Sequence, residues 1–310
     1  MSHAVLAADL GGTKCRFAMV SGTGRVLGLC ETKTSHDPKV FLAALLAGLE
    51  SARTAPDARR LRPVAIGVGT AGVIATDHRS IRNAPNLPVA GYPLATLLKK
   101  RFGLPAALVN DGRASAMGEY LNGKAKGKDP LLVLFFGTGI GIGLIVDGRP
   151  YEGASNAAGE IGHTIHVPGG RLCPCGQRGC YEAYCGGGPI VARANAELGL
   201  RSGGQPWDLR ALRALARRDV RAAAILADAE RAATALVASA CTLLNPRAVV
   251  LGGGVLQKGW PALAGKIERF VRKHCTPSVL ARLRFVPALA GSDAILLGAA
   301  GFAAKIAHRS

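Results

Sequence analysis

Three apolar, strand-like runs of this 310-residue chain each lead into a glycine turn. A residue without Cβ tolerates the strained backbone conformations that let N–H groups approach a phosphate closely. The alternative for each turn is a plain strand end with no ligand. The runs are residues 5–9, 131–136 and 248–251, and the turns are Gly11-Gly12-Thr13-Lys14, the stretch 137–143 that begins Gly137-Thr138-Gly139, and Gly252-Gly253-Gly254.

The first two turns are followed by returning strands, at residues 15–20 and 144–146. Each half of the chain therefore contains a glycine-tipped hairpin, which indicates an internal duplication with a nucleotide held between the halves. A helical pattern at 39–52 and a buried strand at 63–72 follow the first hairpin. This order predicts a mixed α/β protein, which differs from the strict strand–helix alternation of dinucleotide folds.

Asp9 ends the first strand, directly before the first glycine turn. A carboxylate beside a phosphate is favourable only if a cation lies between them. We therefore predict Mg²⁺ near Asp9, held directly or through water, with Thr13 as an added hydroxyl donor.

Asn110 and Asp111 stand at the end of another strand, and an apolar helix start follows them. An Asp at such a junction commonly caps the helix. The second possibility is that Asp111 takes the proton from an alcohol as the alcohol attacks phosphorus. For Asp293, in the first turn of a last helix expected to begin at Gly291, we predict a capping role.

His163, Cys173, Cys175 and Cys180 are four soft or borderline ligands within 18 residues, the number and type that a tetrahedral Zn²⁺ takes. A disulfide is the alternative, and it requires an oxidising compartment. Cys185 is close enough in the chain to be a spare ligand. Glu160 lies three residues before His163, so the two side chains share a face of a helix or turn and could hold a polyhydroxylated ligand.

Composition indicates a globular protein, because 49% of the residues are hydrophobic and only 5% are aromatic. No apolar run approaches the roughly 18 residues of a membrane helix, and the first nine residues lack a charged leader. We therefore expect no membrane partner and a cytoplasmic location.

The formal charge of +19 raises the possibility of nucleic acid, a membrane surface or acidic small molecules as partners. The Lys and Arg residues are scattered along helical stretches without interleaved aromatics. This pattern favours a solvated basic surface that attracts anionic substrates, and no nucleic acid is expected.

Together these motifs resemble the ROK family of bacterial sugar kinases and related repressors, from Asp9 to about Ala304. The resemblance implies a two-domain α/β fold of the actin-like and hexokinase-like ATPases, made of duplicated ribonuclease-H-like units with a zinc-binding motif. It places a smaller domain at 1–121, joined by the last helix at about 295–310, and a larger one with the zinc motif at 122–294. The matching motifs are Asp9-x-Gly11-Gly12-Thr13-Lys14 and Gly137-Thr138-Gly139 for phosphate, Leu251-Gly252-Gly253-Gly254 for adenosine, and Glu160-x-Gly162-His163 with Cys173, Cys175 and Cys180 for zinc.

The same resemblance implies roles for individual side chains. Asp111 would be the general base, and His163 would bind zinc through one ring nitrogen while the other side of its ring touches the sugar. ATP and Mg²⁺ would occupy the glycine turns. The residues implied to hydrogen-bond sugar hydroxyls are Asn86, Asn110, Glu160 and Glu182.

The implied activity is transfer of a phosphoryl group from ATP to the 6-hydroxyl of glucose, by a dimer or tetramer. Residues 84–87 are similar to glucokinase members, but N-acetylglucosamine, N-acetylmannosamine and fructose remain open, as does polyphosphate as donor. Only eight residues precede Asp9, which leaves no room for the DNA-binding module of the family's repressors. A sugar-sensing regulator without turnover and a zinc-stabilised structural protein are the competing hypotheses.

Overall fold

The protein consists of two compact α/β units, seen in a computed structural model that describes residues 3–84, 86–289 and 293–307. The first unit comprises the chain up to Lys128, Gly143–Ala158 and the chain from Ala288 onward. The second comprises Asp129–Ile142 and Gly159–Pro287.

The first sheet is five-stranded, and its parallel strands deliver their carboxyl ends to one edge. The strands up to residue 110 are β1 (His3–Leu10), β2 (Lys14–Ser21), β3 (Val26–Lys33), β4 (Arg62–Thr70), the short pair β5 (Val73–Ile74) and β6 (Ile81–Asn83), and β7 (Ala106–Asn110). The order in the sheet is β3-β2-β1-β4-β7. The first three strands are antiparallel, and β4 and β7 run parallel to β1.

The second sheet repeats this order. Its strands are β8 (Leu131–Phe136), β9 (Ile140–Val146), β10 (Arg149–Pro150), β11 (Ala248–Gly252) and β12 (Arg284–Pro287). They are arranged as β10-β9-β8-β11-β12, with β8, β11 and β12 parallel. Because both sheets place the first strand at the centre, between its hairpin partner and a later parallel strand, the topology supports the predicted duplication.

Ten α-helices lie in the described residues. They are α1 (Pro38–Thr54), α2 (Leu94–Phe102), α3 (Asp111–Asn122), α4 (Glu182–Cys185), α5 (Gly187–Leu198), α6 (Leu209–Leu215), α7 (Val220–Leu244), α8 (Ala262–His274), α9 (Pro277–Leu280) and α10 (Ala294–Ala307). Across 3–84, 86–289 and 293–307, none of them combines the length and apolarity that crossing a bilayer would require.

Helices cover both faces of the first sheet. Along β1, Leu6 and Leu10 belong to an apolar cluster with α1 and α2, whereas Val5 and Ala7 belong to a second cluster with α10. Side chains of a strand point alternately to its two faces, so a strand buried on both sides reads as a continuous apolar run. In the second unit the largest cluster gathers around α7.

Helices α3 and α10 pack with their backbones in close approach. A Cβ on Gly298 of α10 would overlap the carbonyl of Ala114, and one on Gly118 of α3 would overlap the carbonyl of Ala294. Glycine permits this contact because it has no side chain to separate the helices. The helix that begins at Asp111 is thereby held against α10.

The second hairpin differs from the sequence prediction, which assigned all of 137–143 to its tip. The returning strand β9 begins at Ile140, so the tip is only Gly137–Gly139. Ile140 and Ile142 are buried in the core, and the period of two expected of a strand explains why they alternate with glycines.

The division into units also differs from the expected domains. Residues 143–158, expected in the second domain, belong to the first unit, so the boundary falls within β9. The buried guanidinium of Arg113 in α3 explains this, because its Nη2 donates to the carbonyls of Asn156 (3.1 Å) and Ala158 (3.0 Å). Residues 288–289 also belong to the first unit, since the Leu289 N–H donates to Glu119 Oε1 at 2.7 Å. Gly291 and Ser292, and residues 308–310 of the expected C-terminal helix, lie outside the described residues.

Candidate functional site

Asp9 and Asp111 are close neighbours at the carboxyl edge of the first sheet. Asp9 pairs in register with Gly69 of β4, and Thr70 pairs with Asn110 of β7, so the ends of the three parallel strands are aligned. Burial and the charge of Asp111 raise the pKa of Asp9 to about 7, against smaller lowering effects of Arg16 and Lys14. A carboxylate whose charge is disfavoured by a neighbouring carboxylate is part of a donor set that a cation would stabilise.

Asp111 is the first residue of α3, and Asn110 caps that helix. Asn110 Oδ1 accepts hydrogen bonds from the N–H groups of Gly112 (3.0 Å) and Arg113 (3.3 Å). The capping reading of Asp111 is therefore wrong, because its neighbour holds that position. Asp111 Oδ1 accepts from the Gly112 N–H at 2.9 Å, and burial raises the pKa of this carboxyl. A carboxylate with raised basicity at a strand end is suited to accept a proton.

The two predicted sugar-binding asparagines of this unit have different surroundings. Asn110 Nδ2 donates to the carbonyl of Gly72 at 3.2 Å, so much of its amide is committed to holding the strand end. Asn86 is exposed, and its Cβ lies 2.9 Å from where a Cβ on Gly12 would be. Asn86 is therefore beside the first glycine turn, while Pro85, from the predicted run 84–87, lies outside the described residues.

The first glycine turn is held by Thr34, a residue that the sequence did not indicate. Thr34 Oγ1 donates to the Gly11 carbonyl (2.6 Å), and the Thr34 N–H donates to the Thr13 carbonyl (3.0 Å). The C=O and N–H of a trans peptide point in opposite directions, so the N–H groups of Gly12 and Lys14 face away from Thr34. Such amides can bind an anion. The Lys14 ammonium forms an exposed ion pair with Glu31 (2.9 Å).

Arg16 is a second residue that sequence reasoning missed. It is buried in β2, in register with Asp9, and its Nη2 donates to Asp293 Oδ1 at 2.7 Å. We expected Asp293 to cap the last helix. It directly precedes α10, and its backbone carbonyl accepts a hydrogen bond from the Leu297 N–H at 2.9 Å, as an N-cap residue does, while its carboxylate also pairs with Arg16. The sequence carried no signal for this pair, because the two residues lie 277 positions apart.

The second glycine turn is held from the N-terminus of α5. The N–H groups of Gly187 and Gly188 donate to the carbonyls of Gly137 (2.9 Å) and Thr138 (2.8 Å). By the same peptide geometry, the N–H groups of Thr138 and Gly139 face away from α5. The turn thus resembles the first one in presenting backbone donors.

Glu182 contacts this turn directly. Its Oε2 accepts a hydrogen bond from the Ile140 N–H at 2.7 Å, and a Cβ on Gly139 would overlap the same carboxylate. Glu182 is half-buried at the start of α4, immediately after the cysteine cluster in the chain.

The ligand atoms of His163, Cys173, Cys175 and Cys180 all lie within 4.8 Å of one another. Cys173 Sγ is 3.6 Å from His163 Nδ1, and Cys175 Sγ is 3.8 Å from Cys180 Sγ. All the cysteines are free thiols, so the disulfide alternative is not realised. Cys185 lies outside the cluster, and its thiol donates to the Tyr181 carbonyl. These four residues could hold one metal ion.

Glu160 and His163 share a face, as their spacing predicted. Residues Ile161–His163 form one 3₁₀ turn, and Glu160 Oε2 lies 3.9 Å from His163 Nε2. The imidazole therefore turns Nδ1 towards Cys173 and Nε2 towards Glu160. One ring can serve a metal ion and a second ligand at the same time.

The loop that carries the cysteines is anchored on α7 by Asp228, which the sequence did not single out. Asp228 Oδ2 accepts from Arg171 (2.8 Å) and from Arg193 of α5 (2.7 Å), and these contacts lower the pKa of Asp228 against the effect of burial. The Arg171 guanidinium also lies 4.4 Å from the ring centre of Tyr184. This network ties the cysteine loop and α5 to one helix.

The third glycine turn follows β11. Gly253 has a positive φ of 93°, and a Cβ there would overlap the Phe136 carbonyl at the end of β8. Gly252 pairs with Phe135, and Gly254 is exposed with open space where a Cβ would be. The turn therefore leaves bare backbone beside the strand that leads into the second glycine turn.

The repeated sheets and their glycine turns define an α/β protein built from two units of the same strand order. The chain belongs to the ROK family, whose model matches residues 5–306.

Two curated relatives cover most of the chain. A glucokinase from Streptomyces coelicolor is 33% identical over 264 residues, which is 81% of this chain and 82% of that protein. An N-acetylmannosamine kinase from Yersinia pestis is 32% identical over 299 residues, covering 95% and 96% of the two chains.

Two solved structures share the fold over almost the whole chain. The ROK hexokinase from Thermus thermophilus superposes with a TM-score of 0.86 at 30% identity, covering 99% of this chain and 100% of that one. A ROK family glucokinase from Streptomyces griseus, in complex with glucose and AMPPNP, gives a TM-score of 0.78 at 29% identity, covering 97% and 99%.

Proposed function

We propose that this protein is an ATP-dependent hexose kinase that transfers the γ-phosphoryl group of ATP to the 6-hydroxyl of glucose. The observation that carries the proposal is the placement of Asp111 beside Asp9, at the strand edge that leads into the first glycine turn. A base beside a phosphate-binding turn is what phosphoryl transfer to an alcohol needs. The glucokinase relative and the glucokinase structure with glucose and AMPPNP support these substrates.

Asp111 acts as the general base in this proposal. It accepts the proton of the 6-hydroxyl as the alcohol oxygen forms its bond to the γ-phosphorus and the bridging oxygen of ADP leaves. The Gly112 N–H binds Oδ1, so we assign the proton to Oδ2. Burial raises the pKa of the carboxyl, which makes it a stronger base than an exposed Asp.

The glycine turns bind the phosphates of ATP through backbone N–H groups that face away from their supports. We assign Gly11, Gly12, Thr13 and Lys14 to one set of contacts and Gly137, Thr138 and Gly139 to the other. Gly252, Gly253 and Gly254 are proposed to admit adenosine, because Gly254 presents bare backbone. Asp9 fits Mg²⁺, since its carboxylate lies beside that of Asp111 and a pair of carboxylates offers the oxygen ligands that this ion prefers. Magnesium, when bound, would neutralise charge on the transferring group.

The proposed sugar ligands are polar side chains of three chemical kinds. They offer carboxylate, amide and imidazole groups, and sugar hydroxyls need such donors and acceptors in fixed directions. Asn110 has the least capacity left, because both ends of its amide already bind backbone. The proposed set is Asn86, Asn110, Glu160, His163 and Glu182.

We propose that the metal of the cysteine cluster is a structural Zn²⁺. For tetrahedral zinc with Zn–S near 2.3 Å and Zn–N near 2.0–2.1 Å, two sulfurs lie about 3.8 Å apart and a sulfur lies about 3.6 Å from a nitrogen. The separations of 3.8 Å and 3.6 Å in the cluster match these edges. Zinc bound there would orient the His163 ring, whose Nε2 remains directed towards Glu160.

A panel of sugars assayed for ADP production with ATP tests the function. We expect kcat/KM for glucose to exceed that for N-acetylglucosamine, N-acetylmannosamine and fructose by at least tenfold. The Yersinia pestis relative favours N-acetylmannosamine as the alternative, and a reversed preference would establish it. Salt-dependent DNA binding without ADP production from any sugar would instead indicate the regulator. A cytoplasmic location and assembly as a dimer or tetramer stay predictions.

A further inference from the structure

One peptide of the second glycine turn is held at both ends. The N–H of Ile140 donates to Glu182 Oε2 (2.7 Å), and the carbonyl of the same peptide, Gly139 O, accepts from the Gly137 N–H (2.9 Å). The second contact closes the three-residue turn on itself. Glu182 therefore fixes the peptide on which the closure depends.

Within the described part of the chain, the other hydrogen bonds that hold the turn come from N–H groups of α5 and go to carbonyl groups of the turn. The N–H groups of Gly187 and Gly188 donate to the carbonyls of Gly137 and Thr138. The Ile140 N–H is instead bound by the Glu182 carboxylate. No room exists for a side chain between Gly139 and Glu182, so the turn packs directly against the carboxylate. A hydrogen bond from a backbone N–H to an ionised carboxylate is stronger than a neutral one.

We propose that Glu182 is a positioning residue for the second glycine turn, and that its carboxylate holds the turn in the phosphate-binding conformation before any sugar is bound. This inference rests on the proposed function for the identity of the nucleotide. Oε2 serves the turn, while Oε1 is the atom left for a sugar hydroxyl. A residue expected to bind only the sugar thereby also determines the affinity for the phosphoryl donor.

The test is titration of the full-length chain with AMPPNP and Mg²⁺ in the absence of sugar. Glu182→Ala removes the acceptor of the Ile140 N–H, and we expect about a 10- to 150-fold loss of AMPPNP affinity, the range of a hydrogen bond to a charged group. Glu182→Gln keeps an acceptor oxygen, and we expect AMPPNP affinity within about threefold of the wild type. With glucose as substrate, Glu182→Gln should still raise KM for the sugar, which separates the two roles.

Glu160→Ala is the matched control, because Glu160 is a proposed sugar ligand that forms no hydrogen bond with the turn among the residues the structure describes. It should leave AMPPNP affinity unchanged. The metal content of every variant is measured, since Glu182 lies two residues from Cys180, and only variants with wild-type metal content are compared.

Hydrogen exchange of the peptide that contains Ile140 gives a second readout, which needs no ligand. We expect exchange at least tenfold faster in Glu182→Ala and close to wild type in Glu182→Gln. Unchanged exchange in Glu182→Ala, or unchanged AMPPNP affinity, would overturn the inference. If the wild type binds no AMPPNP, the proposed donor is wrong and the exchange result alone decides the role of Glu182.

Discussion

The substitution Asp111→Asn removes the proposed base with little change in shape. Asparagine keeps an acceptor oxygen for the Gly112 N–H, which now donates to Asp111 Oδ1 at 2.9 Å. The cap of α3 is unaffected, because Asn110 provides it. We therefore expect the fold to remain intact while the proton acceptor is lost.

General base catalysis contributes about 10²- to 10⁴-fold to a rate. At about 1.36 kcal/mol per factor of ten, this is roughly 3–5 kcal/mol on the activation barrier. We expect kcat to fall by that factor, with a smaller change in KM, because the base acts on the transition state.

The same substitution should not lower stability. Burial raises the pKa of the Asp111 carboxyl, so at neutral pH its ionised form is disfavoured in the folded state relative to the unfolded chain. Removing that charge also relieves the Asp9 carboxylate, whose pKa Asp111 helps to raise. The melting temperature of Asp111→Asn at pH 7.5 should therefore equal or exceed that of the wild type.

The assay is steady-state ADP production with ATP and the preferred sugar, together with thermal unfolding at pH 7.5. Glu119→Gln on the same helix is the control. Its carboxyl is buried and binds the Leu289 N–H, away from the glycine turns, so its turnover should stay within about threefold of the wild type. Wild-type turnover in Asp111→Asn would refute the base assignment, and a large loss of melting temperature would refute the stability argument.

Three further predictions concern stability and metal content. The folded pKa of Asp9, about 7, lies above its ordinary value of 3.8, so the free energy of unfolding should fall as pH rises between about 4 and 7, by at most about 1.4 kcal/mol per pH unit. In Asp9→Asn, the melting temperature measured without magnesium should therefore change less between pH 5 and pH 7 than in the wild type. Cys175→Ser should lose most of one zinc equivalent by metal analysis, whereas Cys185→Ser should retain it, and full retention in Cys175→Ser would contradict the ligand set. Gly298→Ala should lower the free energy of unfolding by about 1–3 kcal/mol, measured with denaturant, because its Cβ would overlap α3. Gly265→Ala, on the open face of α8, is the control and should leave this free energy unchanged or raise it by up to about 1 kcal/mol.

Features that depend on a short stretch of the chain were predictable from the sequence. The four candidate metal ligands fall between His163 and Cys180, so their spacing alone indicated a shared site, and their ligand atoms do lie together. The three strand-to-glycine-turn junctions were equally local. The long helix Val220–Leu244 ends before Asn245-Pro246, as the inability of proline to continue a helix predicts.

Some local patterns were ambiguous without the backbone conformation. An Asn-Asp pair at a strand end offers two capping residues, and only the backbone shows that Asn110 caps α3 and frees Asp111. The glycines of 137–143 likewise read as one turn, until the burial of Ile140 and Ile142 assigns them to a strand.

The sequence by itself determined the α/β class, the repeated glycine hairpins and the cluster of candidate metal ligands, because strand periodicity and ligand spacing are expressed over a few consecutive residues. Only the tertiary structure decided which side chains support the site. Arg16 meets Asp293 across 277 positions, and Glu182 meets Ile140 across 42. Such pairs depend on strand register and helix packing between distant segments, and no local pattern in the chain encodes them.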